Sequence, residues 1–312
     1  MEPERKPKEG WTQQDFKTFY LNPTIKCTFI MIAIVTFISF VFTVTLLSLS
    51  GQIVEVKERY DSVEECSIGN TCNVSFNIGE KIEGPVYLYY QLTNFYQNHR
   101  KYVKSYSKSQ LKGESVSEDD IKDSCDPIVY NEDLDPRRKA VDGSALNDNS
   151  IADPCGLIAN SYFEDSYELI KDENQITIDD SDIAWSTDDK SKYGNSGDWE
   201  ANQWTDKTDP HFKVWMRTAP SSTFRKLWGK IDQDLEPGDY TLKVDAKTDV
   251  SDWEGEKWVV LSNANGFGGK NGVLGWSFFV STLIGIGWMI AIFVLKKMNP
   301  YPTLEQKFVE YT

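Results

Sequence analysis

The sequence is poor in the residues and motifs that catalytic and metal sites need. Only two histidines, His99 and His211, occur in 312 residues, and no C-x-x-C pair accompanies them. The sequence also lacks a P-loop, a G-x-G-x-x-G turn, a G-x-S-x-G elbow and an EF-hand calcium loop. Carboxylate pairs are abundant, but in so acidic a chain they are typical of a solvated face. We therefore expect no enzyme, no catalytic residues, no cofactor and no metal site.

Basic residues are scarce in the middle of the chain. The chain has 33 basic residues (Lys and Arg) and 48 acidic residues (Asp and Glu). Residues 1–27 contain five basic and four acidic residues, and residues 296–312 contain three basic and two acidic residues. Subtraction leaves 25 basic and 42 acidic residues between these tails, a net charge of −17. A domain this acidic repels nucleic acid, so we expect no nucleic-acid partner.

Two long runs carry no charged residue. Residues 28–50 and 273–295, 23 residues each, contain no Asp, Glu, Lys or Arg, and about 20 apolar residues cross the ~30 Å hydrocarbon core of a bilayer. The first run is too long for a cleaved signal peptide and no A-x-A site follows it, so we interpret it as a retained anchor. The alternative for the second run, a buried core helix, is disfavoured by its length and by the two lysines that follow. The sequence thus predicts two transmembrane helices surrounded by membrane lipid.

The basic flanks of these helices predict their orientation, because Lys and Arg are enriched on the cytoplasmic side. The flanking cations are Arg5, Lys6, Lys8, Lys17, Lys26, Lys296, Lys297 and Lys307. Both tails, 1–27 and 296–312, are therefore predicted to be cytoplasmic, and residues 51–272 form an exoplasmic domain. Aromatic residues over 11–21 favour a short interfacial helix in the first tail, with an unstructured segment as the alternative.

Four of the five cysteines lie in the predicted exoplasmic domain. An even number in such a domain indicates two disulfides among Cys66, Cys72, Cys125 and Cys155, and proximity favours pairing neighbours among the three connectivities. The fifth, Cys27, lies at the edge of the first helix and is expected to be a free thiol. Asn73-Val74-Ser75 is the only glycosylation sequon, and we expect a glycan on Asn73.

The predicted domain is mostly antiparallel β-structure, resembling a β-sandwich with long loops. Strand patterns cover Val86–Leu92 and residues 213–216, 240–244 and 258–261. Residues 112–150 are rich in Asp, Ser and Asn and are predicted to form a long surface loop constrained by Cys125. Residues 179–189 are predicted to form a second, acidic connection.

Small residues recur every four positions in the second predicted helix. Ser277, Ser281 and Gly285 therefore share one face, where another helix can approach closely. We predict that this face binds a helix of a partner protein, and the first helix of the same chain is the alternative partner.

Several segments resemble the cell cycle control protein fifty family, the accessory β-subunits of type IV P-type ATPase lipid flippases. The most specific is YYQLTNFYQNHRKYVKS (residues 89–105), and IADPCGLIANSYFED (151–165), DIAWSTD (182–188), FKVWMRTAPSSTFRKLWGKI (212–231), PGDYTLKV and GGKNGVLG follow in the family's order. The resemblance implies a non-catalytic subunit that binds the ATPase in the endoplasmic reticulum, permits its export and supports phospholipid transport. Relatives carry additional cysteines near Cys66 and Cys72, whereas Cys125 and Cys155 match the family's other pair.

The two longest of these segments combine large aromatic residues with amide, histidine and arginine side chains. Aromatic and arginine residues dominate the hot spots of protein interfaces, but the same mixture also builds a domain core. Core and interface therefore remain alternatives for the predicted ATPase-binding residues. These are Phe95, Tyr96, Asn98, His99, Arg100, Trp215, Arg217, Phe224 and Arg225.

Three functions compete at this level. A flippase subunit, located in the endoplasmic reticulum, Golgi, endosome or plasma membrane, is favoured by the 89–105 segment. A membrane-anchored receptor or adhesion ectodomain would fold and be exported without a partner. A lumenal enzyme is least supported, because no catalytic set is evident.

Overall fold

A computed structural model describes residues 24–136, 138–189 and 191–298. The predicted interfacial helix over 11–21 and Lys307 lie outside these residues. The chain divides into a helical unit, residues 1–50 with 271–312, and a second unit, residues 51–270. We call the second unit the β domain.

The helical unit contains two long helices, α1 (Ile25–Gly51) and α9 (Val273–Met298), which are long and apolar enough to cross a membrane. Most of their large apolar side chains are exposed, as expected of lipid-facing helices. In α1 the buried residues are Thr36, Ser39, Thr43 and Leu46, spaced by three and four. This spacing is typical of a left-handed helix pair, and Phe42 stacks on Phe278 of α9 with ring centroids 5.2 Å apart. The two predicted transmembrane helices are therefore present and pack on each other.

The β domain consists of two four-stranded antiparallel sheets around one apolar core. The first sheet has the order β1-β8-β3-β6 and the second the order β2-β7-β4-β5. The strands are β1 (Glu55–Arg59), β2 (Thr71–Ile78), β3 (Val86–Leu92), β4 (Ser166–Lys171), β5 (Asn174–Ile176), β6 (Phe224–Ile231), β7 (Gly238–Asp245) and β8 (Lys257–Asn263). The predicted antiparallel β class is confirmed, including strands at Val86–Leu92, 240–244 and 258–261.

Short helices decorate the connections between strands. They are α2 (Arg100–Lys104), α3 (Lys108–Leu111), α4 (Glu118–Cys125), α5 (Leu157–Asn160), α6 (Ser186–Asp189), α7 (Trp199–Asn202) and α8 (Pro210–Met216). Single 3-10 turns cover Glu64–Cys66, Asn131–Asp133 and Ser251–Trp253.

The predicted strand at residues 213–216 is wrong, because this segment is the end of α8. Val214 and Trp215 have high strand propensity, but the start signal lies just before them. Asp209 caps the helix by accepting a hydrogen bond from the His211 backbone N–H at 2.6 Å, and Pro210 occupies the first turn. A side-chain cap and a proline at this position fix a helix regardless of local strand preference.

Two predicted loops also contain helices. Within residues 112–150, Ser117 caps α4, and the acidic first turn of α4 suits the positive end of the helix dipole. Ile121 and Cys125 of α4 are buried in the core, so this region is not only a surface loop. The acidic connection 179–189 ends in α6, whose Asp188 is buried.

Buried charges connect the two sheets. Lys257 of β8 donates a hydrogen bond from Nζ to the carboxylate of Asp165, just before β4, at 2.8 Å, and both side chains are at most 1% exposed. Asp165 also accepts hydrogen bonds from the Tyr60 hydroxyl and from the backbone N–H groups of Lys247 and Thr248. Four donors thus satisfy this carboxylate, the condition under which a buried charge is tolerated.

The structure contains two disulfides, Cys66–Cys72 and Cys125–Cys155, and leaves Cys27 as an exposed free thiol. Cys125–Cys155 ties the end of α4 to the segment before α5. Near it, Lys207 donates from Nζ to Asp153 at 3.0 Å and to the Gln110 carbonyl at 2.7 Å. This second buried cation fixes the long connection around the disulfide.

Candidate functional site

The segment after β3 forms an ordered surface turn rather than a loose loop. Asn94 adopts a left-handed backbone conformation (φ 58°), which asparagine tolerates well, and reverses the chain at the end of the strand. The Phe95 backbone N–H then donates to the Ser222 carbonyl at 3.1 Å, and Asn98 Nδ2 donates to the Pro220 carbonyl at 2.8 Å. These bonds attach the turn to the segment that follows α8.

Gln97 anchors the centre of the turn. Its side chain is fully buried, and Oε1 accepts a hydrogen bond from the Ala219 backbone N–H at 2.9 Å. The two segments that carry the longest resemblance, 89–105 and 212–231, are therefore joined by tertiary contacts. Gln97 was not among the predicted site residues, and its burial has no signal in the sequence.

Phe95 packs inward as the centre of an aromatic cluster. Its ring centroid lies 4.8 Å from that of Trp253, 5.6 Å from Tyr102, 6.0 Å from Trp215 and 6.3 Å from Phe224. Trp215 is 1% exposed and Phe224 is 6% exposed. These three predicted interface aromatics, Phe95, Trp215 and Phe224, therefore support the turn from beneath instead of presenting their rings to solvent.

The polar members of the turn lie outside. Tyr96 is 59% exposed, and Asn98, His99 and Arg100 are also exposed. Together these four side chains form what we call the loop face, which stands on the aromatic cluster. An exposed tyrosine beside an arginine, on a hydrogen-bonded turn, is well suited to bind another protein, because little ordering is needed on association.

Lys226 of β6 fixes the support of the loop face. Its Nζ donates hydrogen bonds to the carbonyls of Val214, Trp215 and Arg217 at 3.1, 2.6 and 2.6 Å, closing the end of α8. Burial lowers the pKa of the Lys226 ammonium from 10.5 to about 7, while the three carbonyl acceptors favour its protonated form. No local sequence pattern indicates that this lysine is buried.

Arg217 and Arg225 are half-exposed and already paired. Arg217 Nε donates to Asp188 at 2.6 Å, and its guanidinium stacks 4.4 Å from the ring of Trp185, which is 65% exposed. Arg225 holds both carboxylate oxygens of Glu55 at 2.7 and 2.8 Å, across the first sheet. Arg217 continues the segment attached to the loop face, whereas Arg225 belongs to the sheet.

These pairs also set the charge state of their carboxylates. Burial raises the pKa of Asp188, but hydrogen bonds from Arg217 and Lys192 outweigh it, so the pKa lies below the ordinary value. The hydrogen bond from Arg225 similarly lowers the pKa of Glu55 against the opposing effect of burial. Both carboxylates are ionised near neutral pH.

The small-residue stripe of α9 is split between two environments. Gly285 faces α1, where a Cβ added to it would lie 3.0 Å or less from the side chain of Thr36. Ser277 and Ser281 are exposed, and Ser277 donates its hydroxyl to the Val273 carbonyl of its own helix. Within the helical unit, Gly285 therefore packs against the first helix, while the two serines stay open.

Asn73 lies on β2, at the edge of the second sheet, with its side chain exposed. Its accessibility suits the predicted glycan. Among the described residues, no group of three His, Cys, Asp or Glu side chains is arranged to hold a metal ion. His211 Nε2 lies 3.1 Å from Asp180, and exposed His99 belongs to the loop face, so the two histidines occupy different surroundings.

The chain is similar to proteins of one family over most of its length. The sequence profile of the LEM3 (ligand-effect modulator 3) / CDC50 family matches residues 46–302. ALA-interacting subunit 3 of Arabidopsis thaliana is 34% identical, covering 78% of this chain and 72% of the relative. Cell cycle control protein 50A of Mus musculus is 31% identical, with coverages of 81% and 78%. The phospholipid-transporting ATPase accessory subunit CRF1 of Saccharomyces cerevisiae is 30% identical, with coverages of 83% and 68%.

Proposed function

This chain belongs to the LEM3/CDC50 family, and on that premise we propose that it is the non-catalytic accessory subunit of a phospholipid-transporting P-type ATPase. The observation that carries the proposal is the match over residues 46–302 together with the names of its relatives, one of which is an accessory subunit of such an ATPase. The chain is a membrane protein of the secretory pathway, and its partner is the catalytic subunit of a type IV P-type ATPase.

The loop face is the proposed contact with that catalytic subunit. Exposed Tyr96 and Arg100 supply apolar area and directional donors, and Gln97 keeps the turn in one conformation. A preorganised turn loses little conformational entropy on binding, so most of its contact energy contributes to affinity. Partly buried Phe95 and buried Trp215 and Phe224 act as its support, and Arg217 extends it toward Trp185.

Co-purification from native membranes tests this assignment. We expect Tyr96→Ala with Arg100→Ala to reduce the recovered ATPase at least about tenfold, since hot-spot residues contribute ~2 kcal/mol or more. Ile68→Ala, at a 48% exposed apolar residue elsewhere on the domain, is the matched control. Unchanged recovery of the ATPase with the double variant excludes the loop face, and absence of any ATPase with the wild-type chain excludes the subunit role.

The proposed topology has both termini in the cytoplasm and the β domain on the exoplasmic side. Support comes from the basic residues outside both helices, the two disulfides and the exposed sequon at Asn73. We expect Asn73→Gln to abolish an endoglycosidase-sensitive mobility shift. In sealed microsomes, added protease should digest tags placed at both termini and leave the β domain intact. Tags that are protected from the protease would contradict this topology.

The exposed serines of α9 are the proposed second contact. Ser277 and Ser281 leave room for a helix of the catalytic subunit, while Gly285 packs on the first helix of the same chain. Assembly in the endoplasmic reticulum then precedes joint export to the Golgi, endosomes or plasma membrane. Retention of the ATPase in the endoplasmic reticulum when this chain is deleted is the expected cellular result.

A further inference from the structure

Beside the loop face, the β domain contains an open cavity of about 480 Å³. It lies where α2, α3, α5 and the end of α8 meet Asp188, Lys192 and Tyr193. Its volume falls within the range of small-molecule sites, roughly 300–1,000 Å³. A concave space of this size favours a small ligand over the flat surface of a protein.

The lining is strongly cationic. Lys108, Lys112, Lys192 and Arg217 line the cavity, and the only acidic residue among its described lining residues is Asp188. This excess of positive charge is unusual in a chain with 48 acidic and 33 basic residues. A local concentration of cations in an acidic domain attracts anions to that place alone.

The cations retain donors for a ligand. Lys192 and Arg217 share the single carboxylate of Asp188, at 2.6 Å each. Lys112 Nζ is 3.9 Å from Glu114, a long contact between exposed groups, and in the described parts of the chain no carboxylate lies within 4.0 Å of Lys108 Nζ. Among the described lining residues, four positive charges therefore face the one negative charge of Asp188, which is already paired.

The remaining lining is apolar and aromatic. Leu111, Ile158 and Met216 contribute apolar surface, and Tyr106 and Tyr193 add hydroxyl-bearing rings. An inorganic ion would use only the cationic part of this lining. An anionic group attached to an organic body would use both parts.

We propose that this cavity binds a phosphate ester, with its phosphate at Lys108, Lys112 and Arg217 and its organic part over the apolar surface. Lysine supplies point charge to phosphate. Arg217 holds Asp188 through Nε and Nη2, so the second N–H of Nη2 and the two of Nη1 are the donors it offers to the phosphate. The ester is the headgroup of a phospholipid or a soluble phosphate ester. The site goes beyond the accessory-subunit role and does not depend on which ATPase is the partner.

The test uses the full-length chain, purified with its ATPase, and glycerol 3-phosphate as the probe in ³¹P NMR titrations. Lys108→Gln with Lys112→Gln is expected to weaken binding about tenfold or more, as expected for the loss of charge-assisted hydrogen bonds. The matched control is Lys101→Gln with Lys104→Gln, which removes equal charge from exposed positions of the neighbouring helix α2 that do not line the cavity. Thr218→Trp, at an exposed lining residue, fills the cavity without removing charge and is expected to weaken binding similarly.

Two nanodisc preparations distinguish the sources of the ester. If a phospholipid headgroup is the ligand, the probe binds more weakly in phosphatidylserine nanodiscs than in galactolipid nanodiscs. Equal affinity in both identifies a soluble ester. Equal weakening by the two lysine pairs, or no effect of Thr218→Trp, overturns the proposal. A different outcome is that the wild type binds no probe and that Lys108→Gln with Lys112→Gln reduces the recovery of the ATPase. That outcome overturns the proposal and assigns the cavity to an acidic segment of the partner.

Discussion

Replacing Lys257 with methionine is expected to destabilise the β domain strongly. Methionine keeps most of the side-chain volume but removes the ammonium group that donates to Asp165 at 2.8 Å and to the Thr248 carbonyl at 2.8 Å. Of its donors in the described part of the chain, Asp165 would keep three but lose the single cationic one. Removing one partner of a buried pair leaves an uncompensated charge and costs about 3–5 kcal/mol.

The magnitude translates into a measurable shift of the melting temperature. For a domain of about 150–250 residues, 1 kcal/mol lowers Tm by about 2–4 °C, so Lys257→Met is expected to lower it by about 6–20 °C. Tryptophan fluorescence of the full-length chain in detergent follows this transition. The control is Lys243→Met, which breaks the exposed Lys243–Glu168 pair on the second sheet and should cost less than about 1 kcal/mol.

A double-mutant cycle tests the cause. Asp165→Asn alone leaves the Lys257 ammonium buried with one carbonyl acceptor, and it should be as harmful as Lys257→Met. Combining both changes removes both charges together, so the double variant should be more stable than the sum of the single effects by about 2 kcal/mol. Additive effects, or a Lys257→Met cost close to that of Lys243→Met, would refute the argument that charge compensation holds the sheets together.

Three further predictions concern other contacts. Gly285→Leu should disrupt the pairing of α1 and α9 and lower cysteine cross-linking between the helices, whereas Ser281→Leu should preserve it and reduce only ATPase recovery. Burial lowers the pKa of Lys226 to about 7, so above pH 7 the unfolded chain binds more protons than the folded chain. The free energy of unfolding should therefore rise from pH 7 to 9, by at most about 1.4 kcal/mol per pH unit. Melting curves of Lys226→Met at different pH values should lack this rise. Cys125→Ser opens a loop of sequence separation 30 and should destabilise more than Cys66→Ser, whose separation is 6, and equal losses of Tm would contradict this order.

Local sequence signals failed where several of them competed. In α8, Val214 and Trp215 favour a strand, whereas Asp209 and Pro210 supply a complete helix start. In α4, Ser117 and the acidic first turn were available signals too, but the polar composition suggested a loop. In both cases the capping residues decided the local structure, and the composition of the segment was misleading.

The predicted binding residues separated according to burial, which no local pattern encodes. Phe95 and Tyr96 are neighbours in sequence, yet one packs at the centre of an aromatic cluster and the other is exposed. The difference arises because Trp215, Phe224 and Trp253 pack around the Phe95 ring and not around the Tyr96 ring. These three residues lie about 120 to 160 positions further along the chain. Only the folded chain brings these segments together.

The sequence alone determined the two membrane helices, the acidic β-rich domain between them, its four disulfide-forming cysteines and the family. These features depend on composition, on the length of apolar runs and on short motifs, all of which can be read from neighbouring residues without knowing the fold. The tertiary structure alone decided that the Lys226 and Lys257 side chains are buried, that Gly285 packs within the chain, and that four scattered cations line one cavity. Such outcomes depend on which distant segments meet, because burial and charge compensation are properties of the assembled core.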